Sequence, residues 1–337
     1  MIQNNMNVLP EMKFSIVIPC RNEKDYIEKC VDSIEEQNYN NNLIEIIIVD
    51  GFSEDGTRKI LYNLQKAHSN ITVLDNPSKK TPQALNIGIK NSSGDVVIIL
   101  GAHTQLDKNF IKLNNQYLNE KNVKVTGGTQ INVGNNFIQN LIGIVMEIPF
   151  AMASAAYRWS DNEQYVDTVV YAAYKKELFN EVGYFEEEFA ISEDAEFNWR
   201  IRQAGHKIFY SPKIKSYYYP RDSVFSYVKQ IFRYGILRVN VLKKHFDSIK
   251  LLHLIPPLFV VALIFGFIFS AFSKTVFYLF IGMLIVYFTL NLIASFIAVF
   301  PKKMKYFIFL PVLIFLTHFS WGLGFLVGLV LPKSSKY

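Results

Sequence analysis

The sequence predicts an α/β chain in two parts, a Rossmann-like, mostly parallel sheet with flanking helices followed by C-terminal transmembrane helices. Three observations lead there. Buried-type runs, FSIVIP, IEIIIVD, ITVLDN and DVVIIL, alternate with stretches of helical periodicity, the βαβ pattern that requires parallel strands. A composition of 50% hydrophobic and 19% charged residues is too apolar for a water-soluble enzyme of 337 residues. The whole formal charge of +6 falls in residues 251–337, which hold six Lys and no Arg, Asp or Glu, while the first 250 residues balance at 29 against 29. A basic surplus dispersed among apolar runs is a membrane flank, so a nucleic-acid partner is excluded. Plentiful aromatics exclude disorder, and two cysteines in so long a chain exclude a disulfide scaffold.

The elements follow in order. Residues 13–19 (KFSIVIP) read as a strand, and the following polar stretch carries Tyr26, Ile27, Cys30, Val31 and Ile34 at helical spacing. IEIIIVD is a fully buried strand type, GFSEDGT a Gly and Asp loop, RKILYNLQKAH a helix and ITVLDN a strand; PQALNIGIKN is a helix leading through Ser92, Ser93 and Gly94 to a strand at 95–100. The N-terminus has no charged leader with an apolar core, so the first domain is expected in the cytosol with Cys20 and Cys30 reduced.

Three charge-free stretches, 254–272, 276–300 and 306–331, are each long enough to cross about 30 Å of hydrocarbon. Lys302, Lys303 and Lys305 place the loop between the second and third in the cytosol, in agreement with Lys243, Lys244 and Lys250, whereas three crossings would leave Lys333 and Lys336 on the far side. Gly324 and Gly328 form a small-xxx-small pair that arises by chance often enough to carry no functional weight. The expected organisation is an N-terminal extension over 1–12, a catalytic domain over 13–222, an amphipathic interfacial region over 223–250 and a membrane domain over 251–337. The apolar stretch 137–158, interrupted by Glu147 and Pro149, is too short to span and reads either as core packing or as a cover on the acceptor side.

In an open parallel sheet, ligands bind beyond the carboxyl ends of the strands. The polar residues there are Arg21, Asn22 and Glu23, then Asp50, Ser53 and Asp55, then His103. Neither a GxGxxG nor a GxxxxGK[ST] phosphate cradle occurs in this half. Carboxylates suit ribose hydroxyls and base N–H groups, while a diphosphate needs a cation, and that combination points to a nucleotide sugar.

SIVIPCRNE, IIIVDGFSEDGT and SEDAEFNWRIRQAG, in that order, resemble the inverting family 2 glycosyltransferases of GT-A fold. NPSKKTPQALNIGI, YVDTVVYAAYKKELFNEVGYFEE and KQIFRYG are similar to the succinoglycan-type branch, whose members carry C-terminal membrane helices. The resemblance covers about residues 14 to 234. It implies that Pro19, Glu23, Asp50 and Asp55 line the nucleoside pocket and that Asp194 of the Glu193-Asp194 pair is the catalytic base; Arg21, Ser53, Lys79 and Gly101, by their place at strand ends and loops, are further candidates for the donor. The chemistry agrees, because an inverting transfer needs one carboxylate to take the acceptor's proton. Phe197, Ile201 and Ala204 give helical spacing, and Ser192 is a candidate cap that places both acids at a helix start, where acids also serve merely to stabilise.

The resemblance also implies a divalent cation, Mn²⁺ or Mg²⁺, held after the third of these strands, but this sequence reads LGAHT there. Gly101 replaces the first aspartate, leaving His103 as the metal-side residue, and one imidazole suits Mn²⁺ better than Mg²⁺. Metal dependence, metal independence and a plain strand-end histidine all stay open. Gln230, Arg233 and Tyr234 resemble the family's QxxRW segment with Tyr for Trp, Arg233 clamping a phosphate and Tyr234 stacking on a sugar. The same segment also reads as an interfacial helix. Lys79 and Lys80 are loop candidates for the diphosphate, and Asp167 faces the acceptor side.

The expected activity is transfer of a sugar from a nucleotide diphosphate sugar, a UDP-sugar, to a polyprenyl-linked acceptor at the cytosolic face of the cell membrane, in exopolysaccharide, capsule or other cell-surface glycan synthesis. The partners are then the donor, the lipid-linked acceptor, membrane lipids and polysaccharide assembly proteins. Transfer to polyprenyl phosphate itself, and a nucleotide-sugar-binding scaffold without turnover, are the alternatives.

Overall fold

The computed structural model describes residues 9–153, 155–188 and 193–331. Ser192, the candidate cap, and Lys333 and Lys336 lie outside the described residues, as do residues 1–8 of the N-terminal extension. The chain forms two compact units, one of residues 1–131, 160–187 and 193–218, the other of 132–159, 188–192 and 219–337.

The first unit is built on a mixed sheet. Its parallel half comprises β1 (Phe14–Cys20), β2 (Ile44–Asp50), β3 (Ile71–Asp75) and β4 (Val96–Ile99), joined by α1 (Ile27–Glu35), α2 (Thr57–Ala67) and α3 (Thr81–Asn91). β5 (Thr104–Leu106) and α4 (Phe110–Glu120) lead to β6 (Val125–Asn132), and later come β7 (Gln164–Val166), β8 (Ala173–Lys175), α6 (Leu178–Glu181), α7 (Glu193–Gln203) and β9 (Ile208–Tyr218), with α5 (Phe137–Glu147) between β6 and β7. The sheet order is β3-β2-β1-β4-β8-β6-β9-β5, with β7 also on β9. β1 to β4 pair in parallel, whereas β8 runs antiparallel to β4 and to β6.

β-Branched residues dictate this arrangement, because they suit a sheet buried on both faces. Ile16, Ile18, Ile46, Ile48 and Ile98 pack on one face with Ile27, Val31 and Ile34 of α1 and Phe110 of α4. Ile47 and Val49 face the other way onto Ala84 of α3. The register sets Cys20 beside Asp50 and Asp50 beside Asp75, so the carboxyl ends of three strands finish level.

The second unit contains α5, α8 (Val224–Lys244), α9 (Leu251–Ser270), α10 (Lys274–Val299) and α11 (Leu310–Val330). The last three are long and apolar enough to cross a membrane. α11 starts at Leu310 rather than at 306, because residues 304–306 form a 3₁₀ turn and Pro311 occupies the first helical turn. α5 buries Leu141, Ile142, Ile144, Val145 and Met146, so the first half of that stretch packs inward.

α8 and α11 run side by side in the same direction. Tyr227 Oη and Thr317 Oγ1 share a buried hydrogen bond of 2.9 Å near their starts, and Lys243 Nζ donates to the carbonyls of Gly328 (2.8 Å) and Leu331 (2.7 Å) at their ends. Between these points, a Cβ at Gly324 would collide with the Phe232 carbonyl and one at Gly235 with the Trp321 carbonyl. The Gly324 and Gly328 pair is therefore not incidental: it is the seam that lets α8 and α11 approach to backbone contact. The sequence could not show this because the partner, α8, lies about 90 residues upstream.

Candidate active site

Two loops at the carboxyl ends of β1 and β2 are stitched together by hydrogen bonds. The Asn22 amide donates to Ser53 Oγ (2.8 Å), the Glu23 amide to Thr57 Oγ1 (2.8 Å), the Lys24 amide to Asp55 Oδ2 (3.3 Å) and the Glu54 amide to Asn22 Oδ1 (2.9 Å). Asn22 and Phe52 adopt left-handed backbone angles, φ 58° and 56°, to make these turns. Gly56, at φ 106°, opens α2 in a conformation that costs other residues strain.

Asp50 is fully buried at the end of β2. Its carboxylate accepts from Ser53 Oγ (2.5 Å), from the Ser53 amide (3.2 and 3.3 Å) and from Arg58 Nη1 (2.8 Å). Arg58 Nη2 also meets Asp75 Oδ1 at 2.9 Å, which with Asp50 strengthens the hold of the guanidinium on its proton, and the guanidinium sits over the Phe52 ring. Such pairing offsets the cost of taking a carboxylate out of water. Asp55, just ahead of α2, accepts from Thr57 Oγ1 (2.6 Å) and the Thr57 amide (3.0 Å), and the hydroxyl bond above all holds its carboxyl below the usual range.

Arg21 is exposed and runs along Gly51, and Pro19 is partly buried at the edge of the same loop. Lys79, in a left-handed turn after β3, places its ammonium 3.9 Å from Glu54. After β4, Gly101 and Ala102 lead to His103, whose Nδ1 is 3.2 Å from Glu23 Oε1; its ring lies 5.4 Å from that of Tyr218. The strand ends thus gather Glu23, Asp50, Ser53, Asp55 and His103, all expected from the sequence.

Glu193 and Asp194 open α7. Asp194 Oδ1 accepts from the Ala195 amide at 2.7 Å. Burial, and then the neighbouring charge of Asp194, push the Glu193 carboxyl well above the usual glutamate range. The helix is fixed from behind. The phenol of Tyr174, on β8, donates to Asn198 Oδ1 (3.0 Å), and Asn198 Nδ2 donates to Thr168 Oγ1 (2.8 Å). Burial first, then the charge of Asp194, raise the phenol of Tyr174 far above its ordinary value. Arg200 binds the fully buried Glu196 through Nε (2.9 and 3.1 Å) and Nη2 (2.9 Å), and also donates to the carbonyls of Val182 and Tyr184. Because Tyr174 pairs with Val97 of β4, a continuous framework runs from the strand bearing the LGAHT loop to the helix bearing the acid pair.

Asp167 lies 3.1 Å from Arg202 of α7. Gln230, Arg233 and Tyr234 belong to α8 in the second unit, where Gln230 Nε2 donates to Tyr234 Oη (2.8 Å) and Arg233 is exposed. This i,i+4 contact ties two of the three residues together on one face of α8.

Arg58, Tyr174, Asn198 and Arg200 were not singled out by sequence reasoning. Arg58 follows the GFSEDGT loop and is locally indistinguishable from a solvated helical arginine. FNWR carried a signal for Arg200, since Glu196 stands four residues before it.

Among the described residues no three His, Cys, Asp or Glu side chains cluster as a metal site. The LGAHT loop offers one imidazole, oriented by Glu23, and no carboxylate at Gly101. A Cβ at Gly101 would make only ordinary contacts, 3.4 Å to Thr104 Oγ1 and 3.6 Å to the Tyr171 ring. The missing aspartate is thus not excluded by space. Such a donor set fits a cation only if the diphosphate and water complete the coordination.

A half-parallel sheet with acidic strand-end loops and an acid pair opening a later helix defines the GT-A class of glycosyltransferase fold. The chain belongs to glycosyl transferase family 2, whose profile matches residues 15–183. It is 32% identical, over 95% of its length and 98% of the relative's, to the dolichyl N-acetyl-α-D-glucosaminyl phosphate 3-β-D-2,3-diacetamido-2,3-dideoxy-β-D-glucuronosyltransferase of Methanococcus voltae. It is 29% identical to the succinoglycan biosynthesis protein ExoA of Rhizobium meliloti, over 74% of this chain and 76% of that protein. Among solved structures, the mannosyltransferase PcManGT of Pyrobaculum calidifontis in complex with GDP-Man and Mn²⁺ superposes with a TM-score of 0.55 at 20% identity, covering 72% of this chain and 66% of that one. The protein is a glycosyltransferase, and its fold is of GT-A type followed by three long apolar helices.

Proposed function

We propose that this glycosyltransferase moves a sugar, with inversion, from a UDP-sugar to a polyprenyl-linked acceptor at the cytosolic face of the membrane, in the synthesis of a cell-surface glycan. The observation that carries the reading is the acid pair at the start of α7, with Asp194 Oδ1 held by the Ala195 amide and the helix braced by Tyr174 on Asn198. Its support from relatedness is the Methanococcus voltae relative, which matches along nearly its whole length, apolar helices included, and whose name gives a dolichyl phosphate-linked acceptor.

In this reading Asp194 takes the proton of the acceptor hydroxyl as that oxygen attacks the anomeric carbon and the nucleoside diphosphate departs from the opposite face. Glu193, whose carboxyl burial pushes up, stands beside Asp194. The loops bearing Pro19, Arg21, Glu23, Asp50, Ser53 and Asp55 receive the nucleoside, with Arg58 fixing Asp50 in place. Lys79, Gly101 and His103 lie toward the diphosphate. Mn²⁺, when bound, would neutralise the departing diphosphate, and His103, held by Glu23, is the residue that would contact it. Asp167 and the Gln230, Arg233 and Tyr234 segment serve the acceptor and diphosphate. The apolar helices and the lysines of 302–305 set the protein in the membrane with its catalytic unit cytosolic.

The test is nucleotide release by the purified full-length protein from UDP-, GDP- and dTDP-sugars, with polyprenyl phosphate and polyprenyl diphosphate sugars as acceptors. Inverted lipid-linked product from a UDP-sugar, absent with Asp194→Asn, is expected. A full rate in Asp194→Asn, or product of retained configuration, would overturn the proposal.

A further inference from the structure

The three apolar helices are alike in length and composition but not in surroundings. The buried positions of α9 are His253, Pro257 and Val260, all in its first half, and those of α10 are Asn291, Ser295 and Val299, all in its last half. These ends face the rest of the second unit: a Cβ at Gly322 of α11 would collide with the Pro256 carbonyl, Asn291 Nδ2 donates to the Pro311 carbonyl (2.9 Å), and Tyr287 Oη meets His318 Nδ1 (2.9 Å). The remaining halves expose large apolar side chains, Ile264, Phe267, Leu279 and Ile285 among them, and meet each other, as where Gly266 lies against the Phe280 ring. α9 and α10 are therefore a hairpin whose tip projects beyond α11.

α11 is different. Its buried positions form a stripe that runs from Leu310 to Gly328, nearly end to end, and α8 accompanies it from Tyr227 to Lys243. α8 carries Lys229, Arg233, Arg238, Lys243 and Lys244 and no acid. Lys229 and Arg233 are exposed and fall beside the middle of α11, since the neighbouring Phe232 carbonyl touches Gly324. A crossing α11 would draw both charges toward the bilayer centre, at about 2.5–3.5 kcal/mol each. The seam cannot be loosened to avoid this without breaking backbone contacts.

We infer that only the α9–α10 hairpin crosses the membrane, and that α11 lies with α8 along the bilayer surface, the pair forming a docking face for the headgroup layer. α11 offers apolar residues such as Val312 to the acyl boundary, with Val330 at its end clear of it, while α8 keeps its cations in the polar layer. The arrangement settles the charge conflict of three crossings: Lys302, Lys303, Lys305 and the α8 cations fall on one side with Lys333 and Lys336, and Lys274 at the hairpin tip is alone on the other.

The native cysteines, Cys20 and Cys30, are both buried, which leaves a quiet background for accessibility labelling. Met304→Cys, Val330→Cys and Phe272→Cys, each at an exposed position of the full chain, are treated with a membrane-impermeant maleimide in sealed vesicles of either orientation. Residues 304 and 330 are expected to label from the same side and residue 272 from the opposite side. Labelling of residue 330 together with 272 would overturn the inference, as would a reporter fused after Tyr337 that reads the side of residue 272. The fusion alters no packed residue and decides the matter should a cysteine variant fail to accumulate. Neither readout depends on turnover.

Discussion

The carboxylate of Glu23 meets Nδ1 of His103 at 3.2 Å, although the two residues stand 80 positions apart on loops that follow different strands. The contact fixes the ring and directs Nε2 away from Glu23, the arrangement by which a metal-binding imidazole is usually oriented. His103→Ala is expected to weaken Mn²⁺ dependence and lower kcat/KM about tenfold or more, with Glu23→Gln intermediate because it loosens the ring without removing it. Initial rates titrated with Mn²⁺ and with EDTA check this. An EDTA-resistant rate unchanged in His103→Ala would assign the histidine a structural place only.

The space beside Gly101 makes a gain-of-ligand experiment feasible. Gly101→Asp should fold normally, because its Cβ meets Thr104 Oγ1 and Tyr171 only at van der Waals distance, and its carboxylate would offer an acceptor to the buried, unpartnered Thr104 hydroxyl. Rates supported by Mg²⁺ should rise relative to those with Mn²⁺, since Mg²⁺ prefers oxygen. A thermal melt and paired metal titrations read both halves of the prediction.

The acid pair predicts a pH dependence. Asp194→Asn should lose about 10²- to 10⁴-fold in rate, the usual worth of a general base. Glu193→Gln, which copies the protonated form, should stay within a few fold of the wild type. Because the folded protein keeps a proton on Glu193 that the unfolded chain releases, stability falls as pH climbs from the ordinary glutamate range through neutrality, and Glu193→Gln should remove that slope. Melting midpoints between pH 5 and pH 8, about that window, measure it.

Much of this was legible beforehand. The parallel strands announced themselves because runs such as IEIIIVD suit only a doubly buried strand, and the candidate residues at their ends followed from the rule for open sheets. The bracing was not legible. Arg58 between Asp50 and Asp75, or Tyr174 on Asn198, are pairings across the fold, and neither partner departs from ordinary helix or strand composition. Hydropathy likewise treats α9, α10 and α11 alike, because it counts side chains and not neighbours.

Loss of Arg58 should be felt in stability more than its position suggests. Arg58→Ala leaves Asp50 buried with Ser53 as its remaining side-chain partner, and a cost of about 1–3 kcal/mol is expected, reduced from the value for a fully buried pair because the arginine is 46% exposed. Denaturant titration should show the fall, and Arg58→Lys should restore part of it.

The glycine seam gives a matched comparison. Gly324→Ala must push α8 from α11 against a backbone carbonyl, whereas a Cβ at Gly282 of α10 meets nothing within 4 Å. The first should lower the thermal midpoint in detergent, by about 1–3 kcal/mol in stability, and the second should leave it unchanged or slightly raised. Equal effects would mean that the seam is looser than described.

The two legs of the hairpin are unequal, 20 residues in α9 and 26 in α10, a difference of six residues or about 9 Å of helix. A bilayer that matches the shorter leg leaves the longer one overhanging by more than a turn and a half. The surplus must be absorbed by tilt or by protrusion at the α10 terminus, beside the lysines of 302–305. With the hairpin crossing as inferred above, membrane thickness would set the height at which that basic loop rides above the lipid, and thickening the bilayer would lower it.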